Sequence, residues 1–388
     1  MSKWDVEYLK LCKKILTEGV EVENRTGINT IKIPNYEFNF DMQDEFPILQ
    51  SKYVAWKSAI IEILWIWQMG SNKIQDLHDR GVKIWDEWCI DDDGIYRIYD
   101  PNPKSIYNPK KEVIVKDPLS VPIDDPFGDR HKFKAKIDES GNVLTAKSLI
   151  PGKNIIAAKF YGKELAGTIG KAYGYVNNRY GMMENTITKL RNNPNDRRKV
   201  NNLFQLEVMR EAVLPPCVFE NIWDVTNNKL NATINQRSCD TAVGLPFNVT
   251  QYAVLLNMIA QITGFTPGNL RYVITDAHIY KNLINQVETQ IKRYETYEEL
   301  KNDRIENLLK LQKELQLKIA KMPEEDPDYD ILDSTLKIID IILDNTVPQL
   351  YLDSNIKEFK DFDNSKELKT SKILNYKHMG KIKMPVAQ

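Results

Sequence analysis

In "LPPCVFENIWDV" a cysteine stands directly behind two prolines. Free cysteine is among the residue types most often buried as a small hydrophobe, so Cys217 needs company before it counts as a nucleophile. Downstream, "NQRSCDTAVGLPFNVTQY" sets Arg237 beside Ser238, a guanidinium fork and a hydroxyl suited to a phosphate. Asp240 and Asn248 follow, with Gly244 and Pro246 shaping the chain between them, so the stretch reads as a ligand-facing wall. "TDAHIY" puts His278 and Tyr280 two apart, on one side of a strand. Arg197 and Arg198 in "RRK", and Arg25 in "NRTG", add cations that alone would mark an ordinary surface patch. Glu62 interrupts the apolar run "YVAWKSAIIEILWIWQM"; inside a core its carboxylate must find hydrogen-bond partners or shift its pKa. On a helix surface it would be unremarkable, and the pattern alone leaves both readings open.

Residues 1–88 read as helix, strand, helix, with Tyr53–Met69 an apolar helix buried nearly all round. "VFENIWDV" and "KLNATINQ" read as two strands joined at Thr226-Asn227-Asn228. Tyr252–Gly264 reads as an amphipathic helix stopped by glycine, and "NLRYVITDAHIY" as the strand after it. Two segments differ in texture. Residues 89–166 are rich in proline and charge, with a hairpin around Ser140-Gly141-Asn142, and read as a β-rich insertion. Residues 297–345 carry apolar positions at helical spacing on either side of Pro323 and Pro327, and read as an inserted antiparallel helical hairpin.

With 388 residues the chain can bury a large core without staples. Its 53 basic and 54 acidic residues give no basic excess, so no DNA partner is expected. The four cysteines are far apart, with no C-x-x-C, which argues against a disulfide framework or a metal site. The N-terminal stretch lacks a signal-peptide pattern, and no apolar run reaches the ~18 residues of a membrane span. A cytoplasmic protein without a membrane partner is expected.

"LPPC", "QRSCDTAVGLPFN" and "DAHIY", with "RTG", "IWDEW", "NNPNDRR" and the terminal "PVA", resemble the thymidylate synthase family, in the family's order. The resemblance covers 1–88, 167–295 and 346–388, and leaves out the two segments just described. It implies one α+β (mixed α/β) domain spanning 1–388, a large mixed β-sheet flanked by helices and paired through the sheet in a homodimer. It implies reductive methylation of dUMP to dTMP by 5,10-methylenetetrahydrofolate, with Cys217 adding to carbon 6 of uracil and dihydrofolate leaving. Thiolate addition makes carbon 5 nucleophilic, and cysteine both attacks and leaves well.

By the same resemblance Arg25, Arg237 and Ser238 hold the phosphate, with Arg197 and Arg198 reaching it from the other subunit. Gln236 belongs to the dUMP set, Asn248 reads the base, and His278 and Tyr280 contact the deoxyribose hydroxyl. Asp240 binds the pterin, and Ile84, Trp85, Leu214, Gly244 and Phe247 form the apolar folate wall. Val386 and Ala387 belong to the closing C-terminus. Glu62 assists proton transfers, and Tyr173 in "GKAYGY" is the nearest candidate for the tyrosine that removes the carbon-5 proton.

The chain departs from the commonest family form at Val218 and Leu283, where histidines often stand, and Val218 is shared with a divergent branch. The alternative on the same scaffold is a dUMP hydroxymethylase, in which water captures the methylene. A further alternative is a binding or regulatory homologue without chemistry; the intact Cys217, Asp240, Asn248 and arginine set speaks against it.

Overall fold

The computed structural model describes residues 1–24, 26–102, 104–120 and 135–385. The chain opens with α1 (Lys3–Glu18), whose first turn is closed by the Ser2 hydroxyl accepting the Asp5 N–H at 3.0 Å. Strands β1 (Val20–Val22) and β2 (Thr30–Asp41) follow, then α2 (Trp56–Trp67) and the short α3 (Ile74–His78). As the run of apolar residues requires, α2 is buried on every side from 59 to 67, and Glu62 is buried with it.

The segment after Trp88 forms a separate four-stranded sheet from β3 (Ile95–Tyr99), β4 (Val113–Lys116), β5 (Thr145–Ala146) and β6 (Ile155–Phe160), in the order β3-β6-β4-β5. Ile95, Val115, Ala146, Ile155 and Ala158 give it a small core of its own. The expected turn at 140–142 is present, with an isolated bridge from Ile137 to Val143.

Helices α4 (Gly174–Tyr180) and α5 (Met182–Asn192) lead into the main sheet: β7 (Val200–Asn202), β8 (Val218–Thr226), β9 (Lys229–Gln236) and β10 (Cys239–Asp240), then α6 (Gly244–Thr263) and β11 (Thr266–Tyr280). The sheet runs β1-β2-β11-β9-β8-β7, with β10 beside β11. It is mixed: β9 and β10 lie parallel to β11, the other pairs antiparallel. The β8–β9 turn puts Asn227 and Asn228 at φ +50° and +59°, the left-handed pair that a tight hairpin demands.

Helices α1 and α6 pack on the sheet, and α2 packs on α6. Helix α6 differs from its expected form. It begins eight residues before Tyr252, at Gly244, and most of its length is buried all round, from Leu245 to Ile262, so it is a central helix and not an amphipathic one. Pro246 does not stop it, because a proline in the first turn removes an N–H that has no helical partner.

Helix α7 (Ile284–Leu300) is followed by α8 (Ile305–Ile319) and α9 (Tyr329–Asp344), which pair through Leu308, Leu315 and Ile339. Ile338 and Ile341 of α9 enclose Met379 beside Tyr297 and Leu300, fastening the hairpin to the body. A two-stranded sheet of β12 (Gln349–Leu352) and β13 (Ser371–Leu374) completes the fold. Among the described residues no helix is long and apolar enough to cross a membrane, and none forms a cluster of metal-ligand type.

Candidate active site

Cys217 stands at the mouth of β8, immediately before Val218. The prolines in front of it do more than stiffen the chain. The Pro216 carbonyl accepts from Arg237 Nε at 3.0 Å and the Pro215 carbonyl from Nη2 at 2.9 Å. The backbone joins the same two segments, since the Arg237 N–H donates to the Cys217 carbonyl at 2.9 Å. So clamped, the guanidinium lies against the thiol, Nη2 to Sγ 3.8 Å. A fixed cation at that place favours the thiolate. The β8–β9 ladder slips between Val218 and Glu220, a bulge of the kind that re-aims a strand end beside a site.

Tyr173 approaches from the turn before α4, and its Oη accepts the Cys217 N–H at 3.0 Å. It holds φ +47°, a strained backbone for an aromatic residue, and its ring sits 5.3 Å from that of Trp85. Trp85 donates its indole N–H to Glu62 Oε1 at 2.6 Å. Glu62, 6% exposed, has its carboxyl pushed up to about 7 by burial, against the opposing pull of the Trp85 and Gln251 hydrogen bonds.

From Glu62 a line of polar side chains crosses to the sheet. Gln251 Nε2 donates to Glu62 Oε2 at 2.7 Å, and Asn248 Nδ2 donates to Gln251 Oε1 at 3.0 Å. Gln236 Nε2 lies 3.4 Å from Asn248 Oδ1 and 3.0 Å from the Ser238 carbonyl, and the Tyr272 hydroxyl donates to Gln236 Oε1 at 2.6 Å. Gly244 borders this line: a Cβ there would stand 3.6 Å from Asn248 Oδ1 and 3.9 Å from Asp240 Cβ.

Asp240 takes the N–H groups of Ala242 and Val243 on Oδ1, at 3.0 and 3.1 Å, which ties down the turn into α6. Burial raises its carboxyl above the usual range, opposed mainly by His278. The β10–β11 register sets Asp240 opposite His278. His278 Nδ1 meets Asp276 Oδ1 at 2.8 Å, and its ring meets Tyr280 edge-on at 5.3 Å. Ile84 is exposed, while Leu214, Gly244 and Phe247 are half-buried, as residues rimming a cleft are. Leu283 and Val218, the two departures from the family pattern, are both buried in the main core.

The structure thus brings together Cys217, Arg237 and Tyr173, and joins Glu62, Trp85, Asn248 and Gln236 in one line. It does not bring Arg197 and Arg198 to them. Both are exposed on the loop before β7, and Arg198, with 84% of its side chain exposed, pairs only with Asp196 among the described residues. Arg25, Val386 and Ala387 lie outside the described residues.

Three residues escaped the sequence reading. Gln251 and Tyr272 are polar groups inside buried elements, and their burial is the signal. Lys52 is buried beside Asp240, donates to the Ala242 carbonyl, and has its Nζ 3.4 Å from Met384 Sδ; burial brings its amine down to about 8. A lysine at the threshold of so apolar a helix was the clue.

The family model described as thymidylate synthase matches residues 6–326. The thymidylate synthase of Clostridium beijerinckii is 33% identical over 293 residues, covering 76% of this chain and 83% of that one. Thymidylate synthase 1 of Bacillus subtilis is 26% identical over 406 aligned positions, covering 100% of both. Among solved structures, thermostable thymidylate synthase A from Bacillus subtilis superposes with a TM-score of 0.61 at 26% identity, covering 99% of each chain.

Proposed function

The chain belongs to the thymidylate synthase family, and on that premise we propose that it converts dUMP to dTMP with 5,10-methylenetetrahydrofolate as a cytoplasmic homodimer. The Cys217 thiolate adds to carbon 6 of the uracil ring, and the electron pair moves to carbon 5 and oxygen 4. Arg237, held against the sulfur by the two proline carbonyls, sets its positive charge beside the attacking sulfur and presents its remaining N–H groups to the phosphate. Ser238, Arg25, and Arg197 and Arg198 of the partner subunit complete the phosphate set. His278 and Tyr280 take the deoxyribose hydroxyl, and Gln236 and Asn248 the base.

The folate supplies a one-carbon unit and then a hydride. Asp240 binds its pterin, and Ile84, Trp85, Leu214, Gly244 and Phe247 pack on it, with Val386 and Ala387 closing over the site to exclude water. Glu62, balanced between its charged and neutral forms near neutral pH, moves protons at oxygen 4 and at the folate. Tyr173, its oxygen fixed at the Cys217 N–H, relays the carbon-5 proton, passing its own phenolic proton on to solvent as it takes up the new one. The segments 89–166 and 297–345 are additions to this catalytic domain.

The observation that carries the reading is the clamp of Arg237 on the Cys217 sulfur. It is tested by incubating the protein with dUMP and methylenetetrahydrofolate and following dihydrofolate by absorbance and dTMP by chromatography. Both products form in step, and Cys217→Ala forms neither. Hydroxymethyl product without dihydrofolate would replace the synthase reading with the hydroxymethylase. A wild type that fails to trap 5-fluoro-dUMP covalently in the presence of folate would remove the chemistry altogether.

A further inference from the structure

We propose that Gln251 is a specificity-determining positioning residue: it fixes the sense in which Asn248 presents its amide, and thereby makes the pocket select uracil over cytosine. The inference rests on the reading of Asn248 as the residue that meets the base.

An asparagine amide offers a donor and an acceptor side by side, and by rotation can offer them in either order. Uracil presents an acceptor at oxygen 4 and a donor at N3. Cytosine presents the reverse, a donor amine at carbon 4 and an acceptor at N3. Asn248 alone therefore does not discriminate; whatever prevents its rotation does.

With Glu62 ionised, the line of bonds has acceptor-only groups at both ends, so the sense of every amide between them follows. The ionised Glu62 carboxylate only accepts, so Gln251 must turn Nε2 toward it, at 2.7 Å. Gln251 Oε1 then faces Asn248, which must answer with Nδ2, at 3.0 Å. At the other end the Ser238 carbonyl only accepts, so Gln236 presents Nε2 there, and the same nitrogen faces Asn248 Oδ1 at 3.4 Å. The Tyr272 hydroxyl holds the opposite side of the Gln236 amide at 2.6 Å. Both ends impose one orientation on Asn248, leaving one Nδ2 hydrogen and one Oδ1 lone pair, in a fixed order, for a ligand.

Rotating Asn248 to suit cytosine would set oxygen against oxygen at Gln251 and N–H against N–H at Gln236. Relieving the first clash by rotating Gln251 only moves it to the Glu62 carboxylate. Gln251 is 2% exposed, so its side of the broken bonds lies away from bulk solvent and the clash is costly. The contact at Gln251 is the shorter of the two on Asn248, and it ends on a carboxylate, which makes it the stronger constraint. Asn248 and Gln251 are three residues apart on α6, so they rise from one helix face and cannot drift apart.

The test compares dUMP and dCMP binding by calorimetry to the full-length wild type, Gln251→Met and Gln251→Glu, with 2-deoxyribose 5-phosphate as a ligand that lacks the base. Methionine keeps the length of the side chain without its polar ends, and should cut the dUMP-over-dCMP preference by about tenfold or more. Binding of the sugar phosphate should stay as in wild type. In Gln251→Glu the new carboxyl shares one proton with Glu62, so that its O–H replaces the N–H toward Glu62 and its other oxygen still accepts from Asn248 Nδ2; the variant should keep the preference even where it lowers turnover. A Gln251→Met protein with wild-type preference overturns the proposal. So does a Gln251→Glu protein that has lost it, and this second arm decides the matter if the methionine variant does not fold. A wild type that binds neither nucleotide would instead refute the dUMP site as a whole.

Discussion

Glu62 is the residue whose charge the fold most directly controls. In an unfolded chain its carboxyl titrates near 4.5, but burial in α2 moves that to about 7. Between those values the folded state binds a proton the unfolded state has lost, so this group's contribution to stability falls as pH rises through the window and is level above it. The span corresponds to about 3 kcal/mol of pH-dependent stability. Glu62→Gln should remove that part of the slope, which chemical denaturation at a series of pH values between 4.5 and 7 would register; an unchanged slope would contradict the assignment. The same variant should lose the ionisation near 7 from the pH profile of kcat/KM and lower kcat by roughly 10²–10⁴-fold. Cys217, Arg237 and Asn248 were legible because their signals are local: two prolines, an arginine next to a serine, an asparagine after a Gly-Leu-Pro turn. Gln251 was not, because what makes it matter is a bond to a carboxylate 189 residues away.

At the scale of elements, β8, β9, β11 and the buried helix of Glu62 could be read from period and turn residues, and the structure has them within three residues of where the pattern puts them, while the short β7 and β10 were not read. The start of α6 could not. Gly244 and Pro246 look like loop punctuation, yet both fit a first helical turn, with Asp240 holding the N–H groups just before it. Starting the helix at Tyr252 hid the relation between Asn248 and Gln251, since two loop residues three apart need not face alike. The other end of α6 was read correctly, and for a testable reason. Gly264 closes the helix at φ +78° and ψ 15°, and nothing lies within 4 Å of where a Cβ would be. Gly264→Ala therefore meets no clash and costs only the left-handed backbone, about 1–2 kcal/mol. Its thermal midpoint should fall while kcat and KM stay near wild type, because Asn248 is about 24 Å away along the helix. A change in kcat with no change in stability would mean that the helix transmits strain to the site.

At the scale of the molecule, the main sheet is not symmetric in its surroundings. Along β9, Leu230, Ala232, Ile234 and Gln236 are buried, while Asn231, Thr233 and Asn235 between them stay half-exposed in the single chain. On the same side of the question stand Arg197 and Arg198, exposed before the edge strand β7 and, among the described residues, without a bond to the rest of the phosphate set. Both features make sense if two sheets pair face to face, so that the loop before β7 of one subunit reaches the Cys217 pocket of the other. A two-fold pairing of this kind gives two equivalent shared sites. Cys217→Ala should then be inactive alone, as should a double variant carrying Arg197→Ala and Arg198→Ala. Refolded together they form mixed dimers, in which one site carries both defects and the other has Cys217 from one chain and both arginines from its partner. With random pairing about half the dimers are mixed, each holding one intact site, so about a quarter of the wild-type activity per site should return. If mixed dimers form, as differential tagging would show, and no activity returns, the arginines serve their own subunit and the site is not shared.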